Sequence, residues 1–358
     1  MLIDVVNVGD GACTVIRHRD ETMVMDCGSW HSKDGRDPAL LLRATLGATA
    51  PIPSTVVVTH FDLDHWMGLK AFADASAAGS QRVQLIYPRF PARAKLLQSF
   101  LLAYQTMNLT APERSALDLF RAWESKSAQV VRRSVCAGDR FAAVGTDWDV
   151  FWPPPELGPK VSKVFDEVAH ESEELSQEYE PLRRALDWAY GSQFLADDPE
   201  ETNDVNDEWA PDIQEDDEVV DEVDLLGSYG DDDFADAPHG LRERLQNNRR
   251  DVQRLNNELS LVVGEDDRRL LNFGDVQGWG LNELLRGGDL ERCYETILAP
   301  HHGTQIPGKR TFCDFPFSRE IIAQNGPGHR PRLKAILGSR THGLISTADV
   351  GTYRGWWW

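Results

Sequence analysis

The chain has 358 residues, 41% of them apolar, which allows one large or two ordinary domains with a sizeable core. Its formal charge of −21 is uneven: Asp197 to Asp236 holds 19 acidic residues and no Lys or Arg, leaving 37 basic against 39 acidic residues elsewhere. That distribution excludes a uniformly basic protein that coats nucleic acid, while leaving room for a local basic groove.

In chain order, 2–8 and 12–17 read as short strands around the turn Gly9-Asp10-Gly11, and 22–26 as a third strand ending at Asp26-Cys27-Gly28. The stretch 37–47 predicts a helix with Asp37 as N-cap, Pro38 at its first position and Gly47 past its end. A β-branched strand over 54–59, a helix from about 65 to 77 and a strand over 82–87 follow. This alternation of strand and helix indicates an α/β class. Residues 92–128 read as helical, with a capping-box pattern at Thr110-Ala-Pro-Glu113. Strands over 129–135 and 140–152 close at Pro153-Pro154-Pro155, and 160–195 are again helical. The acidic run 197–236 has few aromatics and is expected to be a disordered or weakly ordered loop. A basic helix over 239–257 precedes strands at 259–264 and 268–273, a helix near 279–286, a strand at 295–299, and a last strand at 333–338 before Thr341-His342-Gly343.

Cys13, Cys27, Cys136, Cys293 and Cys313 are scattered, odd in number and without a C-x-x-C pair. A disulfide scaffold or thiolate zinc site is therefore not expected, and a cytoplasmic location is. The first residues lack the basic segment of a signal peptide, and no stretch approaches the ~18 apolar residues of a membrane span.

The most informative stretch is Thr59-His60-Phe61-Asp62-Leu63-Asp64-His65-Trp66-Met67-Gly68, after a hydrophobic strand and at the opening of a helix. A strand-to-helix turn can aim side chains at i, i+2, i+4 and i+5 toward one point, and imidazole and carboxylate are metal ligands. The alternative is a polar loop whose residues cap the helix.

His60-x-Asp62-x-Asp64-His65 resembles the H-x-[HD]-x-D-H signature of the metallo-β-lactamase fold superfamily, and the Asp in second position resembles the nuclease domain of ComEC-type competence proteins. Five further segments resemble that subgroup in order: Val8-Gly9-Asp10-Gly11-Ala12, Met25-Asp26-Cys27-Gly28, Asn256-Asn257-x-x-Ser260-Leu261-Val262, Phe273-Gly274-Asp275 and Ala299-Pro300-His301-His302-Gly303. The resemblance implies an αββα sandwich with metals at one edge. His60 and Asp62 would bind a first metal, Asp64 and His65 a second, with Asp275 bridging and His302 (or His301) completing the second site. Asp26 would orient the ligands. The expected boundaries are 1–155 for the first half of this domain (with a helical insert at about 92–128), 156–255 for a helical and acidic insertion, and 256–358 for the second half.

One departure from the family pattern stands out. No histidine lies between His65 and His170, so the first metal site lacks a usual ligand. His170 sits in an acidic helical segment and reads as a surface residue. His342 either approaches the site as a ligand or general acid or is an ordinary loop histidine. The ligand set is rich in carboxylate and poor in thiolate, which suits Mn²⁺ or Mg²⁺ as well as Zn²⁺.

The expected function is a metal-dependent hydrolase, a nuclease acting on DNA or RNA, with hydroxide held by one or two divalent metals as nucleophile and Asp64 and His342 as catalytic groups. Two alternatives are a small-molecule ester, lactone or thioester hydrolase of the same fold, and a degenerate partner-binding subunit. An effector in antiphage defence, regulated by a partner bound at 197–236, is one setting for the nuclease.

The remaining features carry weaker signals. Gly303-x-x-x-x-Gly308-Lys309 misses a P-loop because Arg310 replaces Ser or Thr, though Lys309 and Arg310 could meet a phosphate. Arg242, Arg244, Arg249, Arg250 and Arg254, with Arg268 nearby, form either a nucleic-acid groove or a solvated face paired to acids. The tail Trp356-Trp357-Trp358 either packs on a sheet edge or a partner or stacks on bases.

Overall fold

The computed structural model describes residues 1–29, 37–47, 52–91, 94–107, 116–191, 234, 236–305, 311–326 and 341–356. They divide into two compact units: Met1–Arg89, Asp118–Pro154 and Asn257–Trp358 form the first, and Phe90–Leu117 with Pro155–Asn256 the second.

The first unit is built on two seven-stranded sheets. One contains β1 (Leu2–Val5), β2 (Cys13–His18), β3 (Glu21–Cys27), β4 (Thr55–Val57), β5 (Arg82–Pro88), β6 (Gln129–Val135) and β14 (Tyr353–Trp356), in the order β14-β1-β2-β3-β4-β5-β6. The other contains β7 (Arg140–Ala143), β8 (Thr146–Trp152), β9 (Val262–Glu265), β10 (Leu270–Asn272), β11 (Cys293–Leu298), β12 (Phe317–Ala323) and β13 (Thr341–Ser346), ordered β13-β12-β11-β10-β9-β8-β7. Alternate residues of both sheets, including Ile3, Val5, Ile16, Met23, Met25 and Val57 from one and Trp148, Val150, Val263, Leu270 and Leu298 from the other, share one buried core. Burying each such side chain contributes ~1.5–3 kcal/mol, so this core is the main source of cohesion.

Helices cover the other sheet faces. α1 (Pro38–Leu46) and α2 (Leu63–Ala75) pack on β2 and β3. α8 (Gly278–Gly287) packs Leu281, Leu284 and Leu285 against Leu271, Ile297 and Ile321 of the second sheet. The architecture is the expected αββα sandwich.

Several local readings hold in detail. The Asp37 carboxylate accepts bonds from Ala39 N–H (2.9 Å) and Leu40 N–H (3.2 Å), and Gly47 ends the helix at φ +90°. Other expectations need correction. The 140–152 stretch is a hairpin, turning at Val144 and Gly145. β12 and β14 carried no clear strand signal, because β12 has the polar run Ser318-Arg319-Glu320 near its start and β14 is four residues long and contains Gly355. Thr341-His342-Gly343 opens β13 instead of forming a loop. The expected strand 333–338 lies outside the described residues, as do Thr110, Gly308, Lys309, Arg310, Trp357, Trp358 and most of the acidic run.

The second unit is helical: α3 (Lys95–Met107), α5 (Pro159–Glu178), α6 (Glu180–Gly191) and α7 (His239–Glu258), whose last two residues belong to the first unit. The helix α4 (Ala116–Lys126) begins at the boundary and packs Trp123 on Phe72, with ring centroids 6.2 Å apart. Within the expected 160–195 helix, the described residues form two helices broken at Tyr179. In the interior of this unit, Asn248 Oδ1 accepts bonds from Tyr104 Oη (2.6 Å) and Ser172 Oγ (2.8 Å). The basic helix is paired to acids: Arg244 meets Glu171, Glu174 and Glu178 of α5, and Arg254 meets Asp251. Arg268 does not join it; it lies beyond β9 and pairs with Glu291 at 2.7 Å.

Candidate metal centre

β3 and β4 run parallel and end at the same sheet edge, so Asp26 and the 58–62 turn meet there. Gly28 lets them close up, since a Cβ there would stand 2.4 Å from the Asp64 carbonyl carbon. The second sheet supplies Asp275 from the turn after β10. His301 and His302 come from a 3-10 turn after β11, Pro300–Gly303.

These residues converge. His65 Nε2 lies 3.3 Å from Asp275 Oδ1 and 3.4 Å from His302 Nε2. His302 Nε2 lies 3.2 Å from Asp275 Oδ2 and 3.3 Å from Asp64 Oδ2. His60 Nε2 lies 3.6 Å from Asp62 Oδ2 and 3.9 Å from Asp275 Oδ2. His301 Nε2 is 3.8 Å from that same Asp275 oxygen. Donors that share one ion at ~2.1 Å can stand at most ~4.2 Å apart, so these spacings suit coordination. Two groups, His60/His65/Asp275 and Asp64/His65/His302, bring their ligand atoms within 4.8 Å of one another. The carboxylate of Asp62 does not cap α2, although the residue occupies the N-cap position.

The far nitrogen of each imidazole decides what the near one offers. Asp26 Oδ1 accepts Thr59 N–H (2.8 Å) and Oδ2 accepts the Thr59 hydroxyl (2.8 Å), with His65 Nδ1 3.0 Å from Oδ2. A carboxylate only accepts, so His65 Nδ1 carries the proton. The Thr59 proton is already used and the Ser260 hydroxyl donates to the Thr59 carbonyl (3.5 Å), so His60 Nδ1, 3.2 Å from Thr59 Oγ1 and 3.4 Å from Ser260 Oγ, is the donor toward these hydroxyls. His302 Nδ1–H donates to the Gln324 carbonyl at 2.8 Å. In their neutral forms His60, His65 and His302 therefore all turn an Nε2 lone pair toward Asp62, Asp64 and Asp275. Such a collection of acceptors requires a cation or protons at its centre.

Without metal, protons serve. Burial opposes charge on His65, but Asp275, Asp26 and Asp64 outweigh it and hold the imidazole well above its usual range. His302, likewise buried but facing Asp275 and Asp64, is pushed up to about 10. Burial alone would raise Asp275 and Asp64; the neighbouring histidines instead bring Asp64 down and Asp275 well below the carboxylate range. Burial carries His301 the other way, down to about 4. Cys27 is also buried, and burial raises its thiol well above the usual value, so it adds no thiolate.

The supporting residues were less legible. Ser260 Oγ accepts the Asp275 N–H at 2.9 Å, and Gln324 Oε1 accepts Cys13 N–H at 2.9 Å, tying β2 to the strand that holds His302. Ser260 stood in a quoted motif without a role, and Gln324 and Gln277 had no sequence signal. The His342 side chain lies outside the described residues. His170 is exposed and pairs with Glu174 of its own helix at 3.5 Å.

Residues 6–155 match the family model described as Metallo-beta-lactamase superfamily. The matched stretch contributes Asp26, His60, Asp62, Asp64 and His65, while Asp275, His301 and His302 come from beyond it. Among solved structures, the chain is similar to the metallo-beta-lactamase fold protein YhfI from Bacillus subtilis at 12% identity and a TM-score of 0.26, over 44% of this chain and 55% of that one. No curated protein matches. The match to that family model over residues 6–155 and the His/Asp cluster are consistent with a metal-dependent hydrolase that takes divalent metal. Among the described residues, no helix is long and apolar enough to cross a membrane.

Proposed function

We propose that the protein is a metal-dependent phosphodiesterase acting on DNA or RNA. The observation that carries the hydrolytic reading is the cluster of inward-facing acceptors: Asp62, Asp64, Asp275, His60, His65 and His302. His60, Asp62 and Asp275 would hold one ion, and Asp64, His65, His302 and Asp275 the other. Bound there, divalent ions supply an acidified water near neutral pH and charge neutralisation for a phosphoryl group. The protein fixes the imidazoles through Asp26, Thr59 and Gln324, and Asp64 holds a carboxylate where a proton can be taken up or released.

The nucleic-acid step draws on the six ordered motifs resembling ComEC-type domains and on local charge. Residues 304–311 and 326–341 contain Lys309, Arg310, Arg330, Arg332, Lys334 and Arg340 and no Asp or Glu. In sequence these stretches begin at Thr304, which bonds the His301 carbonyl, and just after Gln324, whose carbonyl accepts from His302. Basic sequence of this kind suits a polyanionic substrate. By extension, the acidic run 197–236 is proposed as the docking site of a basic regulatory partner.

The test is purified protein, stripped by chelator and reloaded with Mn²⁺, Mg²⁺ or Zn²⁺, assayed on single- and double-stranded DNA and RNA beside Asp64→Ala and His65→Ala. Cleavage by the parent chain, lost in both variants together with bound metal, is the expected result. Nucleic acid left intact under every metal refutes the proposal, and turnover of a small ester or lactone instead would favour the small-molecule reading.

A further inference from the structure

The cluster contains one more imidazole than the sequence pattern assigns. His301 and His302 are consecutive and both adopt left-handed backbone, at φ 44° and 55°. That conformation costs non-glycine residues roughly 1–2 kcal/mol each. It persists because the turn is pinned: His301 N–H donates to the Gly274 carbonyl (3.0 Å), and the Thr304 N–H (2.8 Å) and hydroxyl (2.7 Å) donate to the His301 carbonyl. The result is that both rings face Asp275.

Gln277 completes the arrangement. It occupies the N-cap position of α8, where a side chain would ordinarily accept a bond from the first turn, yet it makes no capping bond. Instead its Oε1, on a residue only 2% exposed, stands 2.5 Å from His301 Nδ1. An amide oxygen only accepts, so Nδ1 donates and Nε2 is left as a donor atom toward Asp275.

We propose that Gln277 is a positioning residue that presents His301 as an additional metal ligand on the His60/Asp62 side of Asp275, in place of the histidine absent between His65 and His170. This rests on the two-metal reading above and names a ligand for the site that lacks one. Asp275 Oδ2 lies 3.9 Å from His60 Nε2 and 3.8 Å from His301 Nε2, so a cation held by that oxygen is within reach of either ring.

The experiment is metal binding, independent of turnover. The full chain is stripped and titrated with Mn²⁺ and Co²⁺, counting ions by plasma mass spectrometry and following the visible Co²⁺ bands. The parent chain is expected to bind two ions. Gln277→Leu and His301→Ala are expected to retain one and to bind the other ~10–100-fold more weakly, with altered Co²⁺ bands, while Gln277→Glu, which keeps an acceptor, restores the second ion. Thermal melts of the metal-free variants check that each folds. Two ions bound at parental affinity by both Gln277→Leu and His301→Ala overturn this inference alone. A parent chain that binds no ion overturns the two-metal reading with it.

Discussion

Asp26→Asn tests the proton accounting at the cluster, because it preserves shape and reverses polarity. Asp26 sits at φ 53°, a region asparagine tolerates as well as aspartate, so the backbone is not strained by the change. Its Oδ1 role, accepting Thr59 N–H at 2.8 Å, survives in the amide oxygen. Its Oδ2 role does not. That oxygen accepts the Thr59 hydroxyl at 2.8 Å and faces His65 Nδ1 at 3.0 Å. An NH₂ group there donates to both. His65 then keeps its proton on Nε2, pointing into the cluster. The Thr59 hydroxyl turns its own proton toward His60 Nδ1, 3.2 Å away, and His60 reverses as well. One substitution thus removes two of the four inward imidazole lone pairs. Changes to groups that orient metal ligands typically cost 10–100-fold in affinity, or ~1.4–2.7 kcal/mol. With two imidazoles reversed, the upper end is expected. Competition titration against a chromophoric chelator, at fixed pH and with thermal melts of the metal-free proteins as a folding control, measures it. Parental metal affinity in a folded Asp26→Asn protein would falsify the hydrogen-bond assignment.

Three further outcomes follow from the same geometry. His302, pushed up to about 10, and His65, also raised, carry protons in the metal-free protein at neutral pH, so metal loading should release about two protons. Calorimetry in buffers of different ionisation enthalpy counts them, and no buffer dependence would contradict the assignment. The metal-free protein should also show a stability maximum. The contribution of the raised histidines is full below the unfolded value of ~6.5 and fades as pH climbs toward the folded ones, whereas that of the lowered Asp64 and Asp275 is present above ~3.9 and fades in acid. Urea melts across pH measure this, and a flat profile would rule it out. Finally, Gly274→Ala places a Cβ 2.4 Å from Ser260 Oγ at φ +51°. It should destabilise the fold by ~1–3 kcal/mol and weaken metal binding by displacing the hydroxyl that holds the Asp275 N–H. A variant with unchanged denaturation midpoint and metal affinity would show that the turn has more room than the structure gives it.

The amino-acid order alone specified the α/β alternation, the cap at Asp37, and the density of imidazole and carboxylate at residues 60–65, because these depend on neighbours a few positions apart. It missed β12 and β14, whose weakly patterned runs become strands because β11 and β13, and β1, offer ladder partners. It also gave no role to Thr59, Ser260, Gln277 or Gln324, since a hydroxyl or amide acquires its meaning from the group it faces. The three-dimensional arrangement alone decided that Asp275 lies among His60, His65 and His302, which come from two different sheets, and that the proton on each far nitrogen is spoken for. The direction of a hydrogen bond is a property of pairs distant in the chain, and it is those pairs that turn four histidines and their acids into a cluster shaped for cations.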